Sequence, residues 1–111
     1  MIGERRKTMA LIQVTKENFE SEVINSQIPV LADFNANWCG PCRMLKPTLE
    51  EIANQRTDVK VVSVNVDDEA ELAEQFDVFS IPCVVLIKNG KEVNRTVGFR
   101  SKESILSLLG V

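Results

Sequence analysis

The sequence predicts a single α/β domain: a central mixed five-stranded sheet flanked by four helices, in the order β-α-β-α-β-α-β-β-α. Three observations carry this. Apolar, β-branched runs at Val30 to Phe34, Val59 to Val66 and Cys83 to Ile87 alternate with segments whose apolar residues recur at helical spacing. Asn89-Gly90 is a strong hairpin signal and sends the last strand back antiparallel. The 111 residues, with 44% hydrophobic and 26% charged side chains, suffice for one sizeable core and need no second domain.

The elements follow in order. Ala10 to Val14 reads as a short first strand, and Thr15 as the N-cap of a helix over residues 16 to 25 in which Phe19 and Val23 share a face. Pro29 precedes Val30-Leu31-Ala32-Asp33-Phe34, a nearly continuous apolar run of the kind found in a central strand covered on both faces, with one acid inside it. Leu45, Leu49 and Ile52 then recur at helical spacing, with Pro47 inside the helix as an expected kink. The valines between 59 and 66 form a third strand. Asp67 or Asp68 is the expected cap of a helix in which Leu72 and Phe76 pair at i, i+4. Cys83 to Ile87 is a buried strand, residues 91 to 97 the antiparallel strand after the hairpin, and Ser101 the cap of a last helix with Ile105, Leu108 and Leu109 inward.

Composition narrows the function. A net charge of -3 argues against non-specific binding to nucleic acid or an anionic membrane. The apolar runs are far shorter than the roughly 20 residues that span a bilayer. Residues 1 to 8 hold Glu4, Arg5, Arg6 and Lys7 and no apolar stretch, so they read as a flexible extension rather than a secretory signal, with the domain running from 9 to 111. Three cysteines, an odd number, suit a reducing compartment, here read as cytoplasmic. With no histidine at all, proton transfer falls to a carboxylate, a lysine, a thiol or water.

Trp38-Cys39-Gly40-Pro41-Cys42 places two thiols one helical turn apart where a strand ends and a helix begins. Taken alone, such a pair has three common fates: a structural metal half-site, a static disulfide or a reversible dithiol.

The same motif after an Asp-bearing apolar strand, with Ile81-Pro82 before a later strand and the Asn89-Gly90 hairpin, resembles the thioredoxin family from about Met9 to Val111. The resemblance implies the thioredoxin fold and a protein-disulfide reductase acting by dithiol–disulfide exchange, with no cofactor of its own. Cys39 at the helix N-terminus, where free N–H groups and the helix dipole favour an anion, is the expected attacking thiolate. Thioredoxin is itself the standing example of such a lowered thiol pKa, so that much rests on the resemblance. Cys42, one turn further in, is expected to be more buried and to resolve the mixed disulfide. Gly40 is expected to permit close approach, and Pro41 suits the first turn, where its missing N–H is not needed. Asp33 is expected as a buried carboxylate of raised pKa that takes the proton of Cys42, against the plainer reading of a strand-end acid reaching solvent. The resemblance also makes Pro82 a cis-proline and places Trp38, Ile81, Pro82, Gly98 and Phe99 on the substrate-binding surface. It implies disulfide-containing protein substrates, a thioredoxin reductase as electron donor and a monomer.

Four positions depart from the family pattern. Asn35 stands where bacterial members usually carry a second tryptophan, which alters packing under the active-site loop. Ser63 replaces a frequent lysine near the buried acid and should leave the Asp33 pKa higher still. Phe79 puts an aromatic at a position often charged or polar, as a substrate contact or as loop packing. Cys83 stands in place of threonine, either as a small buried hydrophobe or as a third redox thiol near Cys39. Competing functions are a disulfide oxidase or isomerase, a redox-inactive interaction module and a metal-binding module. The last is disfavoured because a zinc or iron–sulfur site normally takes about four Cys or His ligands.

Overall fold

The computed structural model describes residues 11–110. The extension at 1–8, the domain start at Met9 and the first residue of the expected first strand lie outside them. The apolar run that contains Asp33 becomes β2 (Val30–Asn35), the middle strand of a sheet ordered β1-β3-β2-β4-β5. It lies parallel to β3 (Lys60–Asn65), which in turn pairs in parallel with the short β1 (Ile12–Gln13). On its other side it runs antiparallel to β4 (Cys83–Lys88), and β4 pairs antiparallel with β5 (Lys91–Val97). The sheet is therefore mixed, with the antiparallel part entering at β4.

Alternation along β2 divides the core in two. Val30, Ala32 and Phe34 join Val62, Val64, Val85 and Ile87 in one apolar layer, onto which Phe19, Phe76 and Val23 pack. Leu31 faces the opposite layer, with Val61, Val84 and Leu86, under the long helix α1 (Gly40–Gln55) and the short α3 (Lys102–Ser107). By the same alternation Asp33 and Asn35 share the Leu31 side, and Ser63, in register with Asp33 on β3, shares the Val61 side. Three polar residues thus fall on the α1 face near the C-terminal ends of parallel strands.

α1 buries Leu45, Leu49 and Ile52 completely and contains Pro47 without ending there. The first helical segment differs from expectation. It is a π-helical turn over Glu20–Ile24, and Thr15 does not cap it. Asn18 is the reason: its Oδ1 accepts from the Thr15 N–H at 2.8 Å and its Nδ2 donates to the Gln13 carbonyl at 3.0 Å. That side chain fixes a turn against β1, and regular helix begins only after it. The helix α2 (Ala70–Gln75) also lacks its expected cap, because Asn65 Oδ1 accepts from the N–H groups of Asp67 and Asp68 and so takes the turn for itself. Leu72 is buried, and Phe76 just beyond α2 lies 5.9 Å from Phe19 and 5.7 Å from Phe34, ring centre to ring centre. Ser101 does cap α3, its Oγ accepting from Ser104 N–H at 3.2 Å. Leu108 is buried in a 3-10 turn (Leu108–Gly110) that continues α3. No helix among the described residues is long and apolar enough to cross a membrane.

The hairpin forms as read, with Asn89 at φ 53° and Gly90 at φ 78°. A Cβ at Gly90 would also meet Ile24 Cγ2 at 3.3 Å. Gly90→Ala is therefore expected to destabilise the fold by about 1–2 kcal/mol in urea unfolding. Adding Ile24→Ala removes the contact but not the left-handed backbone, so the two substitutions should couple favourably; an unchanged midpoint for Gly90→Ala alone would refute both causes.

Candidate active site

The β2–α1 loop is short, and local hydrogen bonds fix how it delivers the cysteines. Cys39 N–H donates to the Ala36 carbonyl at 3.2 Å, and the Arg43 guanidinium donates to the Asn37 carbonyl at 2.8 Å. Cys39 is the N-cap of α1 in extended backbone, and its Sγ accepts from the Cys42 N–H at 3.2 Å, as a hydroxyl or carboxylate does at other helix starts. Pro41 occupies the first turn. Cys39 and Cys42 are joined as a disulfide with their Cα atoms 5.2 Å apart. The expectation that Cys42 is the deeper thiol needs correction for this oxidised state: both residues are 5% exposed, since the joined sulfurs cover each other. Nor does Gly40 answer to a steric demand within the chain, because a Cβ there would find only Arg43 Nη2, at an ordinary 3.9 Å.

Ile81 packs against Ala36, Cys39 and Cys42, and the Ile81–Pro82 peptide is cis. The Pro82 carbonyl accepts from Gly98 N–H at 2.7 Å, which brings the β5 end and Phe99 to the same rim. Trp38 is not a packing residue. It stands 68% exposed, with its indole N–H donating to Asp67 Oδ2 at 2.9 Å. Phe79 is 90% exposed, so it is not loop packing either. Asp67 and the exposed Met44 were absent from the sequence reading of the site. The position of Asp67 just past the end of β3, next to β2, was the available signal for it.

Asp33 lies 3% exposed beneath the loop. Burial raises its pKa from 3.8 to about 7, and a hydrogen bond from Asn35 pulls partly the other way. Asn35, read from the sequence only as altered packing, is a hub: its Nδ2 donates to Asp33 Oδ2 at 3.1 Å, to the Asp33 carbonyl at 2.9 Å and to Ser63 Oγ at 2.8 Å. Asp33 Oδ1 has no hydrogen-bond partner among the described residues. A cleft of about 340 Å³ adjoins it, with Asp33, Asn35, Ser63, Cys42, Arg43 and Lys46 among its walls. Asp33 and Cys42 thus border one cleft, although Oδ1 itself is buried.

Cys83 begins β4 in the core, 1% exposed, with Arg95 Nη1 3.8 Å from its sulfur. Burial pushes its thiol up and the arginine offsets part of that. It behaves as a small buried hydrophobe. Among the described residues no group of three or more Cys, Asp or Glu side chains is arranged to hold a metal ion.

Comparison with known proteins agrees with this geometry. The sequence pattern of the Thioredoxin family matches residues 10–110. A thioredoxin of Mycobacterium tuberculosis strain H37Rv is 48% identical over 98 residues, covering 87% of this chain and 84% of its own. A bifunctional thioredoxin reductase/thioredoxin of Mycobacterium leprae is 46% identical over 96 residues, which are 86% of this chain and 21% of that protein. The solved structure of a mutant thioredoxin from Halobacterium salinarum superposes with a TM-score of 0.80 at 36% identity, covering 87% of this chain and 85% of that one. A Cys-Gly-Pro-Cys disulfide at the start of the long helix, beside a cis-proline and above a buried aspartate, on a chain matched over nearly its whole length, places this protein in the thioredoxin family.

Proposed function

We infer that this thiol–disulfide oxidoreductase reduces protein disulfides with Cys39 as the attacking thiol, Cys42 as the resolving thiol and Asp33 as the proton acceptor. The observation that carries the reading is the Cys39–Cys42 pair at the α1 N-terminus, packed against Ile81 and sharing a cleft with Asp33. In the reduced protein, the Cys39 thiolate attacks one substrate sulfur, and the other leaves as a thiolate that picks up a proton. Cys42 passes its proton to Asp33 and attacks Cys39 Sγ. The Cys39–Cys42 disulfide forms, the second substrate sulfur leaves, and the substrate has gained two electrons and two protons.

Several features support the accompanying assignments. Trp38, Ile81, Pro82, Gly98 and Phe99 border the pair and suit an extended substrate segment, with Phe79 adding an aromatic at the edge of that surface. The electron donor is a thioredoxin reductase, in keeping with the Mycobacterium leprae relative that carries both activities in one chain. The protein acts as a monomer in a reducing, cytoplasmic compartment, consistent with its single buried free thiol.

Two outcomes test this reading. Cys42→Ser should still attack, trapping a stable mixed disulfide through Cys39, whereas Cys39→Ser should trap none; capture by the latter variant, read by mass spectrometry, would reverse the roles. Asp33→Asn should slow release of the second substrate thiol by about ten- to a hundredfold near pH 7 while leaving the first attack intact. The same substitution has a stability signature. The folded pKa of Asp33 exceeds its unfolded value, so the unfolded chain releases this proton first and the stability of the oxidised protein declines as pH rises from about 4 to about 7. Between pH 4 and pH 8, Asp33→Asn should gain roughly 4 kcal/mol over the unaltered protein in denaturant unfolding. A pH-independent difference would show that the carboxyl is not buried in its charged form.

A further inference from the structure

A buried carboxyl can serve as a proton acceptor only if something makes it give its proton up again. Burial alone holds Asp33 in the protonated form, and two polar neighbours stand between that and a working base. These neighbours are Asn35 and Ser63. The amide nitrogen of Asn35 has two hydrogens and three acceptors within 3.1 Å: Ser63 Oγ, the Asp33 carbonyl and Asp33 Oδ2. Ser63 Oγ, at 2.8 Å, takes one hydrogen and fixes the amide plane across β2 and β3, where Asp33 and Ser63 are in register. The other hydrogen is shared by two acceptors on Asp33, its carbonyl at 2.9 Å and Oδ2 at 3.1 Å, so the amide holds Oδ2 against its own strand. Oδ1 is buried and carries no hydrogen bond from the described residues.

We propose that Asn35, braced by Ser63, is a positioning residue that holds the Asp33 carboxyl through Oδ2 and so leaves Oδ1, which has no hydrogen-bond partner among the described residues, as the atom that takes the Cys42 proton. The inference rests on the reading of Asp33 as the proton acceptor. The step balances: the Cys42 S–H proton moves to Oδ1, the carboxylate becomes the acid, and Cys42 attacks Cys39 Sγ as a thiolate. The acid then loses the proton to solvent; Asp33 is among the residues that line the adjoining cleft. An amide donor on Oδ2 stabilises the carboxylate and resets the base between turnovers.

Other groups face Asp33 from each packed element. From α1 come Cys42 and, along the cleft wall, Arg43 and Lys46; from β3, the neutral Ser63; from β4, Val84 in register, with the thiol of Cys83 acting only weakly from the other face of the sheet; from β1, Gln13 at the cleft. Among them, Asn35 is the side chain hydrogen-bonded to the carboxyl. Its influence should therefore be visible above theirs.

The test uses the full-length protein. Asp33 is followed by its carboxyl carbon resonance against pH, and resolution of a preformed mixed disulfide by stopped-flow fluorescence of Trp38, the single tryptophan of the chain. Asn35→Val should move the Asp33 titration up by about one pH unit, and the acid limb of the resolution rate with it, leaving resolution about tenfold slower below the midpoint. Attack by Cys39 should keep its own pH profile. Asn35→Gln, which retains the amide on a longer arm, should recover part of the shift. If Asp33→Asn abolishes the limb while both Asn35 variants leave it in place, Asn35 is only packing and the inference is overturned. An acid limb that persists in Asp33→Asn overturns the proton-acceptor reading itself. The unaltered protein supplies a check that does not depend on a variant folding: the Asn35 side-chain amide nitrogen should titrate with the Asp33 midpoint, and an amide shift flat across that range overturns the inference equally.

Discussion

Asp33 sits where strand pairing and chemistry make opposite demands. As the fourth residue of the central strand it has neighbours on both sides, so its side chain must enter the layer between sheet and α1. A carboxylate there loses most of its hydration, and no cation among the described residues is paired with it. The way out is titration: the group carries a proton through the acidic range and releases it near neutrality. The consequence is stability forgone at neutral pH, where the folded protein has to hold a carboxylate in that layer.

The surroundings of the disulfide depend on a second constraint, the rigidity of its rim. The loop between α2 and β4 carries Phe79 and Ile81, and it has no regular structure of its own. Arg95 on β5 anchors the start of it. Its guanidinium donates to the carbonyls of Phe76 and Asp77, the unpaired acceptors at the C-terminal end of α2, and is paired with Glu92 at 2.6 Å. Val78 N–H also bonds the Ala73 carbonyl at 2.9 Å. A guanidinium at a helix C-terminus satisfies orphan carbonyls and opposes the helix dipole in one contact. Phe79 is thus exposed just beyond an anchored stretch of the loop.

Much of this was legible in the sequence because the signals are local. Continuous apolar and β-branched runs located β2 to β4, Asn89-Gly90 located the hairpin and β5, and Ser101 the last helix start. What the sequence misplaced were the starts after Thr15 and Asp67, and the cause was the same twice. Asn18 and Asn65 used their side-chain carbonyls on nearby backbone N–H groups, and such a competition is decided by a few tenths of an ångström that residue order does not reveal. Asp33, Cys39, Cys42 and Pro82 were readable from the motif. Asn35 was readable only as a departure, because its role needs Ser63, 28 positions away, in register on the neighbouring strand.

That pairing makes the two side chains one unit at Asp33: the amide brings a dipole to the carboxyl where a charged side chain would bring a cation. A cation acts on a carboxylate over several ångströms and weakens with salt and hydration, while a single N–H acts only in contact and in one direction. Exchanging the first for the second leaves the mean proton affinity of Asp33 less favourable to the carboxylate but specifies which oxygen is engaged. The cleft lies beside this arrangement: Asp33, Asn35, Ser63 and Cys42 are all in its walls, while Oδ1 is buried and has no partner among the described residues.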